Sequence, residues 1–333
     1  MTRPGRRLSA IDAGLLDPAL TVRFAAALKA VWRRGGAADG VLGVAVSGGP
    51  DSLGLLLLAA AALPGRVEAA TVDHGLRAES AAEAAFVAEI CAGLGVRHET
   101  LSVTVAEGNL QSEARAARYA ALGDWAARRG IGALATAHHA DDQAETLLLR
   151  LNRASGVAGL AGVRAVGRVP GTDLPLVRPL LDWRRADLAE VVRAAGLEAV
   201  QDPSNDDARF DRARVRAALA GADWLDVAAV AESAGHLAEA DAALDWATAR
   251  EWREGVKPGA LGSYVYRPSA PRAIALRVLA LLVAKLDGAE PRGSGVARVF
   301  DALVAGQPAS IGNLVARPTP EGWSFNRAPA RRN

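Results

Sequence analysis

Between residues 41 and 151 the chain repeats one pattern four times: a short apolar run, then a longer segment with helical spacing. Val41–Val46, Val67–Val72, Val96–Val103 and Ile131–Thr136 read as strands. Asp51–Ala62, Ala81–Leu94, Gln111–Arg129 and Asp141–Leu151 read as helices. Strands this apolar belong in a parallel sheet with helices on both faces. Leu174–Leu180 predicts a further strand, Arg184–Ala195 a further helix, and Ala19–Trp32 an amphipathic helix ahead of the repeat. The expected fold class is therefore α/β, a doubly wound, Rossmann-like parallel sheet. Each unusual polar cluster falls where a strand ends: Ser-Gly-Gly-Pro-Asp-Ser at 47–52, Asp-His-Gly-Leu-Arg at 73–77, His-His-Ala-Asp-Asp at 138–142. Ligands of such sheets sit beyond the carboxyl ends of the strands. The three clusters thus predict one shared site.

After about residue 220 the texture changes to alanine-rich helices, Trp224–Glu251, Ala270–Leu286 and Gly295–Ala305, followed by a hairpin around Pro320-Glu321-Gly322. The length of 333 residues favours two domains. The expected division is an N-terminal extension (1–40), a catalytic domain (41–220) and a mostly helical C-terminal domain (221–333). The single cysteine, Cys91, excludes a disulfide within the chain and any cysteine-based zinc or iron–sulfur site. A reducing, cytoplasmic location is expected. The longest apolar run, Leu53–Leu63, is too short to span a bilayer, and the basic first residues lack the apolar core of a signal peptide. No membrane partner is expected. The pI near 9.0 hints at an anionic partner. Lys29, Lys257 and Lys285 are the only lysines among 39 basic residues, and the arginine fork suits phosphate.

At 47–52, Gly48 and Gly49 let backbone N–H groups approach an anion closely. The helix start that follows adds unpaired donors and partial positive charge. Ser47 and Ser52 can donate hydroxyls, and Pro50 suits the first helical turn. Asp51 would repel phosphate unless a cation stands between them, which suggests Mg²⁺. The spacing is that of neither the lysine-containing phosphate loop nor Gly-x-Gly-x-x-Gly; a plain strand-to-helix turn is the competing reading. In the 138–145 stretch Asp141 and Glu145 share a helix face. Capping explains one aspartate; His138, Asp141 and Asp142 together suit metal or acid–base work better. Zinc fits poorly, because the histidines are adjacent rather than spaced along a helix.

Asp73 and His74 would face the same cleft, or form an ordinary polar strand end. Arg115 and Arg118 line one helical stripe, with a solvated basic face as the competing reading. Farther on, Arg209, Arg212 and Arg216 fall at i, i+3 and i+7, with Arg214 nearby, a stripe suited to a phosphate backbone or to solvent.

The Ser-Gly-Gly-Pro-Asp-Ser stretch resembles the N-type ATP pyrophosphatases of the PP-loop superfamily, with their adenine nucleotide alpha hydrolase-like fold. The full set resembles the tRNA(Ile)-lysidine synthases within it: SGGPDS, VDHGLR, ARAARY, HHADDQAETLLLR, RASGVAGLAGV, RPLL and DPSND…RARVR, in order over residues 41–217. The resemblance implies that ATP adenylates the wobble cytidine of the CAU anticodon of tRNA(Ile), releasing pyrophosphate. The ε-amine of free L-lysine then displaces AMP to give lysidine. It implies ATP and Mg²⁺ as cofactors. Ser47, Gly48, Gly49, Pro50, Asp51, Ser52, Asp73 and His74 would bind ATP, and Asp51 and Asp142 would hold the metal. Asp51, Arg115, His138, Asp141 and Asp142 are the catalytic candidates. Arg209, Arg212, Arg214 and Arg216, with the C-terminal domain, would hold tRNA. A homodimer stays open. The chain departs from the family pattern at Phe210 and Ala213, where a tyrosine and an asparagine often stand. Two alternatives remain: a 2-thiocytidine-type tRNA enzyme, which needs paired cysteines, and a non-catalytic nucleotide- or tRNA-binding protein.

Overall fold

A computed structural model describes residues 16–35, 40–75, 80–104, 110–200, 211–289 and 291–328. Its contacts divide the chain into two units, residues 1–238 and 239–333. The first unit holds α1 (Pro18–Arg34), β1 (Val41–Ala45), α2 (Pro50–Ala62), β2 (Val67–Asp73), α3 (Ser80–Gly93), β3 (Arg97–Ser102), α4 (Leu110–Arg129), β4 (Ile131–Ala135), α5 (Ala140–Leu151) and α6 (Val157–Leu160). It continues with β5 (Val166–Arg168), β6 (Pro175–Val177), α7 (Arg185–Ala194), α8 (Asp211–Ala220) and the start of α9 (Val227–Gly255). The boundary expected near residue 220 precedes α9, whereas the contact boundary lies inside that helix.

The sheet order is β3-β2-β1-β4-β6-β5, with every pair parallel except β5–β6. The chain steps outward from β1 to β2 to β3, then returns to place β4 on the other side of β1. That reversal opens a crevice at the carboxyl ends of β1 and β4. Val44 of β1 pairs with Ala135 of β4, so the residues after these strands emerge side by side.

Alternation along β1 builds two cores. Leu42 and Val44 face one side, where α2 brings Leu53 and Leu55–Leu58, and α1 brings Phe24, Leu28 and Trp32. Burying each such side chain is worth about 1.5–3 kcal/mol. α2 is apolar all round because α1 and α7 pack against it as well as the sheet. On the other side Tyr119, Leu122 and Trp125 of α4 cover Leu134 and Leu176. A Cβ on Gly43 would come within 2.9 Å of the Trp125 ring, so this strand position needs glycine. Residues 16–34 are tied to this unit: Arg23 stacks 4.2 Å from the Trp183 ring centroid and donates to Asp182 O at 2.8 Å.

The second unit holds the end of α9, β7 (Val256–Pro258), β8 (Tyr264–Tyr266), α10 (Arg272–Asp287), α11 (Gly293–Val304), β9 (Ala309–Ile311), β10 (Leu314–Thr319) and β11 (Gly322–Arg327). Its helices accompany an antiparallel sheet of order β7-β8-β11-β10-β9. The β10–β11 hairpin turns at Pro320-Glu321, as expected; the other three strands are too short to show a period. Val278, Leu282, Val299, Trp323 and Phe325 form its core. Among the described residues no helix is long and apolar enough to cross a membrane.

Candidate active site

The loop after β1 is built for an anion. Gly48 has φ +85°, a conformation that favours glycine. Gly49 is the N-cap of α2 and no side chain caps the helix, which leaves its first N–H groups for a ligand. Ser52 is committed to the loop itself. Its hydroxyl donates to Gly49 O and accepts from Ser47 N–H, both at 3.1 Å. Ser47 is exposed at the crevice, with its own hydroxyl 3.1 Å from Ser52 Oγ. Val200 N–H donates to Gly48 O at 3.0 Å.

The loop after β4 carries the second half of the site. His139 is fully buried and is the N-cap of α5. Its Nε2 lies 3.3 Å from Asp51 Oδ2 and 3.5 Å from Asp142 Oδ2; its Nδ1 lies 3.5 Å from Asp141 Oδ2. These contacts are off-axis, and neither ring nitrogen makes an aligned hydrogen bond. Burial presses the imidazolium toward its neutral form, but Asp141, Asp51 and Asp142 outweigh that and raise its pKa to about 9. His138, one residue earlier, behaves oppositely. Burial pushes its pKa down to about 4 against the pull of Asp142, and Arg178, Arg212 and Arg115 add to the effect. Thr136 Oγ1 is 3.0 Å from its Nδ1.

The three aspartates differ in what they have left to give. Asp141 is saturated: Arg184 meets it with two contacts of 3.2 Å and Arg185 N–H donates at 2.8 Å. Although burial opposes ionisation, His139 and these donors hold its carboxyl far below the usual range. Asp142 Oδ2 accepts from His139 N–H at 3.1 Å. Asp51 Oδ1 is buried with no hydrogen-bond partner. Glu145, on the Asp141 face as the spacing predicts, is buried against Arg216 (2.8 Å) and Arg185 (3.3 Å).

Beside these carboxylates lies a cavity of about 370 Å³, lined by Arg115, His138, Arg150 and Arg212 with Thr146 and the Gly159–Val163 turn. No carboxylate lines it, so it favours an anionic or polar occupant. Arg115 stacks 5.0 Å from the Tyr119 ring centroid. Gln143 shapes the wall: its amide donates to Val163 O at 2.9 Å and accepts from Val163 N–H at 2.6 Å. Gly162 (φ +62°) lies so close that a Cβ there would come within 2.4 Å of Gln143 Oε1.

The structure thus brings Ser47, Asp51, His138, Asp141 and Asp142 to one crevice and adds Arg115 and Arg212 at its cavity. Asp73, at the end of β2, accepts from Gly75 N–H (2.8 Å) and Ser80 Oγ (2.7 Å), donors that lower its pKa. Both His74 ring nitrogens are shielded from solvent without a hydrogen-bond partner. Arg214 pairs with Asp211 on its own helix. Arg216 is turned to Glu145, while Arg209 lies outside the described residues. His139 and Arg178 stand in the quoted His-His-Ala-Asp-Asp and RPLL stretches without an expected role, and none was expected of Arg184 and Arg185. Arg178 is buried just after β6, donating to Arg164 O at 2.7 Å; the strand-end position was its available signal.

The chain is similar to known proteins in sequence and in fold. The PP-loop domain family model matches residues 20–222. The tRNA(Ile)-lysidine synthase of Novosphingobium aromaticivorans is 50% identical over 293 residues, covering 87% of this chain and 90% of that protein. The enzyme of the same name from Zymomonas mobilis is 41% identical over 300 residues, covering 88% and 90%. That of Ruegeria pomeroyi is 46% identical over 287 residues, covering 82% and 68%. Among solved structures, the U34-tRNA thiolase NcsA from Methanococcus maripaludis, determined with its [4Fe-4S] cluster, superposes with a TM-score of 0.55 at 14% identity. It covers 66% of this chain and 79% of that one, a likeness of fold.

Proposed function

The chain belongs to the PP-loop tRNA(Ile)-lysidine synthases, and from that premise we propose that it joins free L-lysine to the wobble cytidine of the CAU anticodon of tRNA(Ile) at the expense of ATP. The cytosine carbonyl oxygen takes the adenylyl group and pyrophosphate leaves. The lysine ε-amine then attacks the activated ring carbon and AMP leaves. A cytoplasmic location goes with such a substrate.

The observation that supports this reading is the convergence at one switch point of an uncapped helix start, Asp51 and the His138–Asp142 loop. The uncapped start of α2, with Gly48, Gly49 and Ser47, receives phosphate oxygens through N–H and hydroxyl donors. Ser52 keeps that loop in shape, and Asp73 holds the turn in which His74 faces the nucleotide. Arg115 offsets negative charge that grows on the transferring phosphoryl group. His138, neutral at physiological pH, offers its remaining ring nitrogen to the cytosine. Arg212 and Arg150 meet the phosphodiester beside that base, and the C-terminal unit holds the rest of the tRNA.

The residues present fit a divalent cation. Asp51 Oδ1 is an orphaned buried acceptor, and Asp142 stands across the same histidine ring. Among the described residues no cluster of three or more His, Cys, Asp or Glu side chains forms a ready cage. That suits Mg²⁺, which takes one or two carboxylates plus substrate phosphates and water. Asp51 and Asp142 would hold it, and when bound it supplies charge neutralisation at the phosphate oxygens.

A thiolation reading lacks its parts. Cys91 is the only cysteine, buried in α3, and burial pushes its thiol up to about 12. The deciding experiment is nucleoside mass spectrometry of tRNA(Ile) after incubation with ATP and lysine. Lysidine formation with stoichiometric pyrophosphate supports the reading; unmodified cytidine or a thiolated product refutes it.

A further inference from the structure

His139 is wholly buried at the centre of the site, yet no step of the proposed reaction touches it. Its backbone is extended (φ −132°, ψ −178°), so successive side chains leave the strand end on opposite sides. His138 goes to the cavity, and His139 goes inward to three carboxylates from two helices. Nε2 is shared between Asp51 Oδ2 and Asp142 Oδ2. The same residue grips Asp142 a second time, through its backbone N–H at 3.1 Å. One oxygen of Asp51 thus faces the ring at 3.3 Å, and Oδ1 is left without a partner. An apolar side chain of similar size would fill the space but leave Asp51 and Asp142 facing each other with nothing between them.

We propose that His139 is a positioning residue for the divalent cation: its ring fixes the spacing and orientation of the Asp51 and Asp142 carboxylates across the crevice. This rests on the reading that those two carboxylates hold the metal. Groups that orient metal ligands without touching the metal typically govern affinity by roughly 10–100-fold.

The test separates metal from nucleotide. The affinity of the full chain for the non-cleavable α,β-methylene analogue of ATP is measured by calorimetry, with EDTA and then with Mg²⁺. The wild-type protein is expected to bind more tightly with Mg²⁺, and Asp51→Asn to lose that gain. His139→Ala is expected to lose roughly tenfold or more of the gain while its metal-free affinity stays unchanged. His139→Asn, whose amide keeps a donor nitrogen, is expected to recover part of it. If His139→Ala does not fold, His139→Asn and His139→Gln carry the test in the same way. An undiminished or larger gain would overturn the proposal, because the ring would then be only a buried counter-charge. A parallel fall with and without metal would also overturn it, as a purely structural role. No gain in the wild-type protein would sink the metal assignment itself, a different result from either.

Discussion

Two buried clusters of charge, one in each unit, are built on opposite plans. In the C-terminal unit Glu251 has every donor it can use: Tyr266 OH at 2.9 Å, Ser269 N–H and Ser269 Oγ at 2.8 Å, and Ala270 N–H at 3.2 Å. In the catalytic unit the His139 ring faces three carboxylates without one aligned hydrogen bond, and Asp51 Oδ1 has no partner. The first is a satisfied network that ties α9 to the segment between β8 and α10. The second holds polar groups back from the protein, a cost tolerated where a ligand completes the set. Buried charge therefore marks structure or chemistry according to whether its hydrogen bonds close.

The largest expected effect tests the open cluster. Asp51→Ala should cut pyrophosphate release with tRNA(Ile) and lysine by about 100-fold or more, without lowering the melting temperature. A variant that keeps a tenth of the rate would erase the contrast. Glu251→Ala should do the reverse, costing roughly 3 kcal/mol in chemical denaturation by orphaning Tyr266 OH and two N–H groups. Its activity per folded molecule should stay the same; an unchanged midpoint would show the closed network to be idle.

A smaller effect comes from a closed piece inside the catalytic unit, the Gln143–Val163 pair. Gly162→Ala forces a left-handed residue against Gln143 and should cost about 1–2 kcal/mol. KM for tRNA should rise with it, since the Gly159–Val163 turn lines the cavity. Acid stability follows from Glu251 too. Burial opposes its ionisation, but Ser269, Tyr266 and Ala270 outweigh that and hold its pKa below the ordinary 4.5. Its contribution is present above 4.5 and lost as pH falls through the lower folded value. Glu251→Gln should therefore flatten the acid limb of a melting-temperature profile; an unaltered limb would place the acid-labile group elsewhere. The smallest effect separates two arginines on one helix. Arg212→Gln should weaken tRNA binding and reduce its log–log salt slope by about 1. Arg216→Gln should mainly lower stability, because its partner Glu145 is buried. Equal salt slopes for the two would show that α8 meets tRNA along its whole face.

The strand–helix rhythm made the parallel sheet legible, because apolar runs with helices between them leave few ways to bury both faces. The clusters at 47–52 and 138–142 made the crevice legible, because each follows a strand. The sequence could not say which of two adjacent histidines turns inward, since that depends on which neighbours wait on either side. His138 lines the cavity, and His139 faces the aspartates. Spacing put Arg212 and Arg216 on one stripe of α8, yet their partners come from α5, far away in sequence. Asp141 and Glu145 were rightly paired on a face, but their arginines at 184, 185 and 216 had no local signature. β5, β7, β8 and β9 span three residues each, too few for a period of two to show.

Val200 donates its N–H to the carbonyl of Gly48, so the chain just beyond α7 braces the rim of the glycine loop. Val200→Pro, which lacks that donor, should therefore loosen the hold on ATP even with tRNA absent. Unaltered nucleotide affinity in that variant would show the brace to be idle.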